Sequence, residues 1–81
     1  MADFFEDIRN IISKQFGIPT ENIEEDSLLD EDLSITDLDL EDFLAQIQEK
    51  YDIQIPSEKI PTFKKISDVV SYLYENTQGT I

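Results

Sequence analysis

The sequence predicts an all-α domain, an irregular antiparallel four-helix bundle with a long loop between its first and second helices. Three observations carry that reading. Apolar residues recur at helical spacing in three stretches, from Phe5 to Phe16, from Leu40 to Tyr51 and from Ile66 to Leu73, so each presents one face to a shared core. Gly17, Pro19, Pro56 and Pro61 punctuate the chain between those stretches. At 81 residues the chain forms one domain, residues 1–81, ordered from about residue 3 to residue 76. A domain of this size hides only roughly 60–65% of its unfolded surface, so the core is modest.

The first helix is expected over Asp3 to Phe16. Phe5, Ile8, Ile12 and Phe16 form its inner stripe with Phe4 and Ile11 beside it, while Asp3 caps and Glu6 follows three residues later. Gly17 suits the left-handed residue that ends a helix, and Pro19 prevents resumption. From Ile18 to Ile35 no period is sustained. A structureless connection of that length is unusual in a compact domain, so Ile18, Ile23, Leu28, Leu29, Leu33 and Ile35 should pin it down, with a short helical turn within Pro19 to Ile23.

The second long helix runs from about Asp37 to Tyr51. The Thr36 hydroxyl can cap it by accepting from a first-turn N–H, and Asp39 can reach back as a shorter capping-box acid. Asp37 places a carboxylate at the positive end of the helix dipole. Leu40, Phe43, Leu44, Ile47 and Tyr51 make the apolar face; Asp37, Glu41, Asp42, Ala45, Gln48 and Glu49 make the other. Ile53 and Ile55 anchor the next loop, Pro56 closes it, and Ser57 to Ile60 forms a stub that Pro61 ends. Ile66, Val69, Val70 and Leu73 define the last helix, with Ser67 and Asp68 in its first turn and its end near Glu75; Asn76 to Ile81 should fray. Phe5, Ile12, Phe16, Phe43, Leu44, Ile47, Ile66, Val70 and Leu73 are the expected core.

Charge is unevenly spread. Nineteen acids face six bases, a net charge of −13, and eleven of the acids lie between Glu21 and Asp42, where there is no Lys or Arg. Repulsion from phosphate opposes nucleic acid and anionic membranes as partners; a basic protein surface is the natural complement. The chain has no Cys and no His, which removes disulfides, zinc sites, thiol nucleophiles and imidazole catalysis. No nucleophile–base pair suggests an enzyme. No apolar run approaches membrane-spanning length, and Met1-Ala2-Asp3-Phe4 lacks the basic and apolar regions of a secretion signal, so a reducing, cytoplasmic or plastid-like compartment and a monomeric state are expected. Asp30, Asp32 and Ser34, with Glu41 further on, imitate a calcium loop. Ile35 stands where such a loop needs glycine, and Glu41 falls inside the second helix, so only weak, nonspecific divalent binding is expected.

The ordered set of motifs resembles the acyl carrier protein family. Ile11-Ile12 and Gly17-Ile18 fall on that family's first-helix signature, and Asp32-Leu33 opens its central Asp-Leu-Gly-x-Asp-Ser-Leu motif. Glu49-Lys50-Tyr51-Asp52-Ile53-Gln54-Ile55-Pro56 is similar to its Glu-Glu-Phe-x-x-x-Ile-Pro segment, and Asp68 to Leu73, including Tyr72, to its last helix. The likeness covers roughly Asp7 to Leu73. It implies a bundle of this type serving fatty-acid, polyketide or peptide assembly, with a 4′-phosphopantetheine arm carried on serine. At the centre the chain departs: the serine position is Asp37 and the glycine position is Ser34.

Three readings are left open. In the first, the chain keeps the fold and the docking face but carries no arm on Asp37, which instead supplies a fixed negative charge at the helix start. In the second, it is an acyl or peptidyl carrier with a variant attachment site, Thr36 ahead of Ser34, although a one-residue shift turns the hydroxyl by roughly 100° about the axis. In the third, only the fold is shared and the surface binds something else. Carried over by position, Leu38, Asp39, Glu41, Asp42, Ala45, Gln48, Glu49 and Ile55 would meet basic surfaces of synthases and transferases. The inner phenylalanines would fill the space that family members open for an acyl chain. A solvated face is the plainer account of the acids, but eleven without counter-charge repel one another, which favours a partner.

Added salt is therefore expected to raise the melting temperature, by screening like charges over about 8–10 Å near physiological strength. Calorimetry across a salt series checks this, and a fall in stability with moderate salt would mean that the acids are paired internally.

Overall fold

The computed structural model describes residues 4–77. Three α-helices form the framework: α1 (Phe4–Phe16), α2 (Asp37–Tyr51) and α3 (Ile66–Thr77). Two 3₁₀ segments complete it, Thr20–Asn22 in the long loop and Ser57–Thr62 in the place of the stub helix. The Asp3 cap expected for α1 and residues 78–81 lie outside the described residues. Among the described residues, β structure amounts to one isolated antiparallel bridge between Leu28 and Lys65.

The helices start and stop for identifiable reasons. Glu6 and Asp7 lie in the first turn of α1 and Lys14 in its last, each matching the dipole. Gly17 takes the left-handed conformation (φ 69°), and its N–H bonds the Ser13 carbonyl. Helix α2 ends through a residue the sequence does not advertise: Asp52 is left-handed (φ 56°), and the N–H groups of Asp52 and Ile53 both reach the Gln48 carbonyl. Pro61 does not end the stub. It begins a second i→i+3 turn, closed from the Phe63 N–H to the Ile60 carbonyl, where proline's fixed φ suits and its missing N–H is not required. Helix α3 runs two residues past Glu75, and in that last turn the Asn76 amide and Thr77 hydroxyl donate additional bonds back to the carbonyls of Tyr72 and Leu73.

The packing directions follow from contacts at the helix ends. The Phe4 ring, at the start of α1, meets Tyr51 and Tyr74 edge-on, with centroids at 5.4 and 4.8 Å. At the other end of α1, the Gln15 amide donates to the Asp42 carboxylate at 2.9 Å and accepts from Gln46. Helix α1 thus runs antiparallel to both α2 and α3. Phe4 is buried by this aromatic clamp, whereas Phe5, Phe16 and Val70, expected in the core, are only half-buried; Val69 is buried instead. Phe5 lies under the Arg9 guanidinium at 5.2 Å, both side chains half-buried.

The long loop is held from within and from without. Ile23, Leu29, Leu33 and Ile35 are buried as expected, and Ile18 packs against the same core. Less expected is its docking on the start of α3. The Ile66 N–H bonds the Ser27 carbonyl, the Ser67 N–H bonds Glu25, and the Leu29 N–H returns to the Lys64 carbonyl. Two orphan donors of a helix start are thereby satisfied by a distant loop. The Asp68 carboxylate supplies the rest, accepting the N–H groups of Lys64 and Lys65 at 2.9 and 3.1 Å.

One tertiary bond gives a direct test of this packing. The Tyr51 hydroxyl donates to the Asp7 carboxylate at 2.8 Å, tying the end of α2 to α1. Burial, then this bond, then the Asp7 charge hold the Tyr51 phenol well above its ordinary 10.0. The folded state keeps that proton longer than the unfolded chain, so this contribution to stability is present below pH 10 and lost as pH rises beyond it. Tyr51→Phe is expected to lower stability by about 1 kcal/mol at neutral pH and to flatten the alkaline loss, read by urea melts across pH.

Candidate functional site

The start of α2 and the face running from it form the candidate site. Thr36 occupies the N-cap with extended backbone (φ −75°, ψ 168°), and its hydroxyl oxygen accepts the Asp39 N–H at 3.1 Å. Among the described residues the Asp39 carboxylate makes no return bond, so only the Thr36 half of the expected box forms. Asp37 is the first residue of the helix and is exposed. Two residues before the cap, Ser34 is left-handed (φ 57°), the conformation that favours glycine. Its N–H bonds the Asp30 carbonyl, closing the turn that delivers the chain into α2.

The outward face divides in two. Leu38 is 77% exposed, the most solvent-open large apolar side chain among the described residues, and Glu41, Asp42, Ala45 and Glu49 are exposed along the same helix. Asp39 is half-buried. Two expected contacts face the wrong way. Ile55 is 7% exposed and belongs to the core. Gln48 is half-buried, its amide oxygen accepting the Ile55 N–H at 3.0 Å, so its side chain fastens the following loop to α2. An amide suits this place because its oxygen accepts that N–H while its nitrogen faces the Leu44 carbonyl at 3.4 Å, a donor's position that a carboxylate cannot fill.

The acids are not neutralised by the chain's own bases. Of the eleven between Glu21 and Asp42, all are exposed except half-buried Asp39. The ion pair found among the described residues, Arg9 with Glu6 on α1, involves none of them. Some serve the backbone: Asp32 accepts the Leu28 N–H at 2.8 Å and Asp30 the Glu31 N–H at 2.7 Å, local side-chain bonds within the loop's own turn.

Beside the start of α2 opens a cleft of about 420 Å³. Leu29, Ile35, Leu40 and Phe63 floor it and Ile60 walls it, bringing together the long loop, α2 and the stub. Sequence reasoning missed Asp30, Ser57, Ile60 and Lys64 as site residues. Asp30 stands out only in the calcium-like pattern and the others in none, since only the docking of the loop on the start of α3 brings them to one opening.

Comparison with known proteins adds the family. Residues 6–73 match the family described as phosphopantetheine attachment site. The chain is 32% identical over 72 residues to the acyl carrier protein of Wolinella succinogenes, covering 89% of this chain and 95% of the relative. It is 31% identical over 74 residues to that of Clostridium acetobutylicum, covering 91% and 96%, and 32% identical to that of Akkermansia muciniphila, covering 91% of each.

Two substitutions test the geometry at the helix start. Ser34→Gly relieves the left-handed strain and is expected to raise stability by about 0.5–1 kcal/mol. Thr36→Ala removes the cap and is expected to lower it by about 1 kcal/mol. Chemical denaturation measures both, and equal, negligible effects would contradict the conformations described.

Proposed function

The chain belongs to the phosphopantetheine attachment site family, and we propose on that footing that it is a docking protein of the acyl-carrier type that works without a serine-linked arm. It is carrier-like and not an enzyme. Its partners are enzymes of fatty-acid, polyketide or peptide assembly, and they meet it through basic surfaces laid on Leu38, Asp39, Glu41, Asp42, Ala45 and Glu49. The observation that supports docking is the exposed α2 face, whose acids are left unpaired by the described bases while Leu38 stands 77% exposed. Leu38 provides desolvation at the centre of such a contact, and the surrounding carboxylates provide steering.

The residues present do not fit a phosphopantetheine arm at the family's position. The arm is held as a phosphodiester to a hydroxyl, and Asp37 offers a carboxylate, which would give a hydrolysable acyl phosphate. Its own charge instead occupies the positive end of α2. Thr36 is the nearest hydroxyl, but its oxygen is engaged by the Asp39 N–H, so loading it would sacrifice the cap. Ser34 is exposed, yet it belongs to the left-handed turn before the helix.

Coexpression with a phosphopantetheinyl transferase, followed by intact-mass analysis, tests the missing arm. The natural chain is expected to stay unmodified and Asp37→Ser to gain the mass of one arm; a gain by the natural chain, located at Thr36 or Ser34 by fragment masses, would establish the variant carrier instead. Docking is tested separately with a purified synthase or transferase from the organism of one of the relatives. Affinity is expected to fall with added salt and by about tenfold in Leu38→Ala/Glu49→Lys; no response to either would refute the docking face.

A further inference from the structure

The cleft beside Asp37 combines two chemistries. Its floor is apolar, with Leu29, Ile35, Leu40 and Phe63 each less than one-tenth exposed. Its lining also holds three carboxylates, Asp30, Asp37 and Glu41, against one base, Lys64. All three acids are exposed, and among the described residues neither Asp37 nor Glu41 has a hydrogen-bond or ion-pair partner. At about 420 Å³ the cleft is large enough for one long side chain and its neighbours.

Those features select an occupant. A fatty acyl carboxylate would suit the floor but would meet three like charges. A bare cation would suit the carboxylates but would leave the apolar floor unused. A guanidinium on an aliphatic stem satisfies both, because its stem lies along apolar surface while its planar fork bonds more than one carboxylate. Lysine offers only a point charge, more strongly hydrated and without the fork.

We propose that this cleft is a socket for an arginine flanked by apolar residues on a protein partner. The proposal rests on the reading that the chain docks cationic partners through α2, and it deepens that reading by placing the anchor of the contact in the cleft rather than on the helix face. The arginine enters beside Ile60 and bridges Asp37 and Glu41. Its apolar neighbours cover the floor and the adjoining region of exposed Leu38. The missing arm and the socket are linked: Asp37, which gives no hydroxyl for attachment, becomes one of the two carboxylates that grip the guanidinium.

The test uses the full chain, isotopically labelled and followed by NMR during titration with three probes: an acetylated, amidated peptide of one arginine between leucines, the same peptide with neutral citrulline, and octanoate. The arginine peptide is expected to shift the backbone signals of Leu29, Ile35, Leu40 and Phe63 and to bind at least about fivefold more tightly than the citrulline peptide. Asp37→Asn/Glu41→Gln should reduce it to the citrulline level. Ser57→Trp, an exposed position in the cleft lining, should block entry without unfolding the chain, and Ile60→Trp should do the same from the wall. Equal binding of the two peptides, octanoate binding as tightly as arginine, or shifts confined to the outer face of α2 would each overturn the socket. Should enzyme docking keep its dependence on salt and on Leu38 and Glu49 while the arginine peptide fails to enter, the socket falls and the docking face stands. Should docking itself ignore charge, the underlying reading falls.

Discussion

The structure depends on how the acid-rich connection between α1 and α2 disposes of its backbone polar groups. That segment has too few apolar residues in register to form a helix that packs, and a buried loop with unpaired N–H and carbonyl groups is costly. It is resolved by exchange with the start of α3. Glu25 and Ser27 give carbonyls to Ser67 and Ile66, and Lys64 gives one back to Leu29. Two of these three bonds close the helix start, to which the Asp68 carboxylate adds its own. One short seam thus orders the loop, caps a helix and sets the two walls of the cleft beside α2.

That seam has an electrostatic consequence. It uses the backbone of Lys64 and Lys65, while the carboxylates of Glu24, Glu25, Asp26 and Glu31 remain in water. Apolar side chains do the anchoring, with Ile23, Leu29, Leu33 and Ile35 inside, and of the loop's acids Asp30 and Asp32 bond its backbone while those four carboxylates take no part. A net charge of −13 on a small domain works against compactness through self-repulsion. The fold tolerates this by spreading the acids over the surface rather than burying or pairing them, which leaves their field available to another molecule.

At the start of α2 the same economy shows in single residues. Thr36 satisfies one orphan N–H, Asp37 adds charge where the dipole welcomes it, and Ser34 accepts a left-handed conformation that glycine would adopt without strain. A hydroxyl at the cap and a carboxylate at the first helical residue make a well-terminated helix.

Periodicity and punctuation determined the helices, because each is a local matter: apolar spacing marks α1, α2 and α3, Thr36 caps, and Gly17 takes positive φ since no Cβ opposes it. The exposed ridge was legible too, as a run of acids without bases can only be solvated or bound. What the tertiary structure decided was everything that needed two distant segments at once. Phe4 displaced Phe5 from the core once Tyr51 and Tyr74 closed on it, and Ile55 went inside with Gln48 turned to hold it. The cleft is the largest such case. Asp30, Ser57, Ile60 and Lys64 have no shared pattern along the chain, and they meet because backbone groups of one loop had to find partners in another, a demand that composition records nowhere.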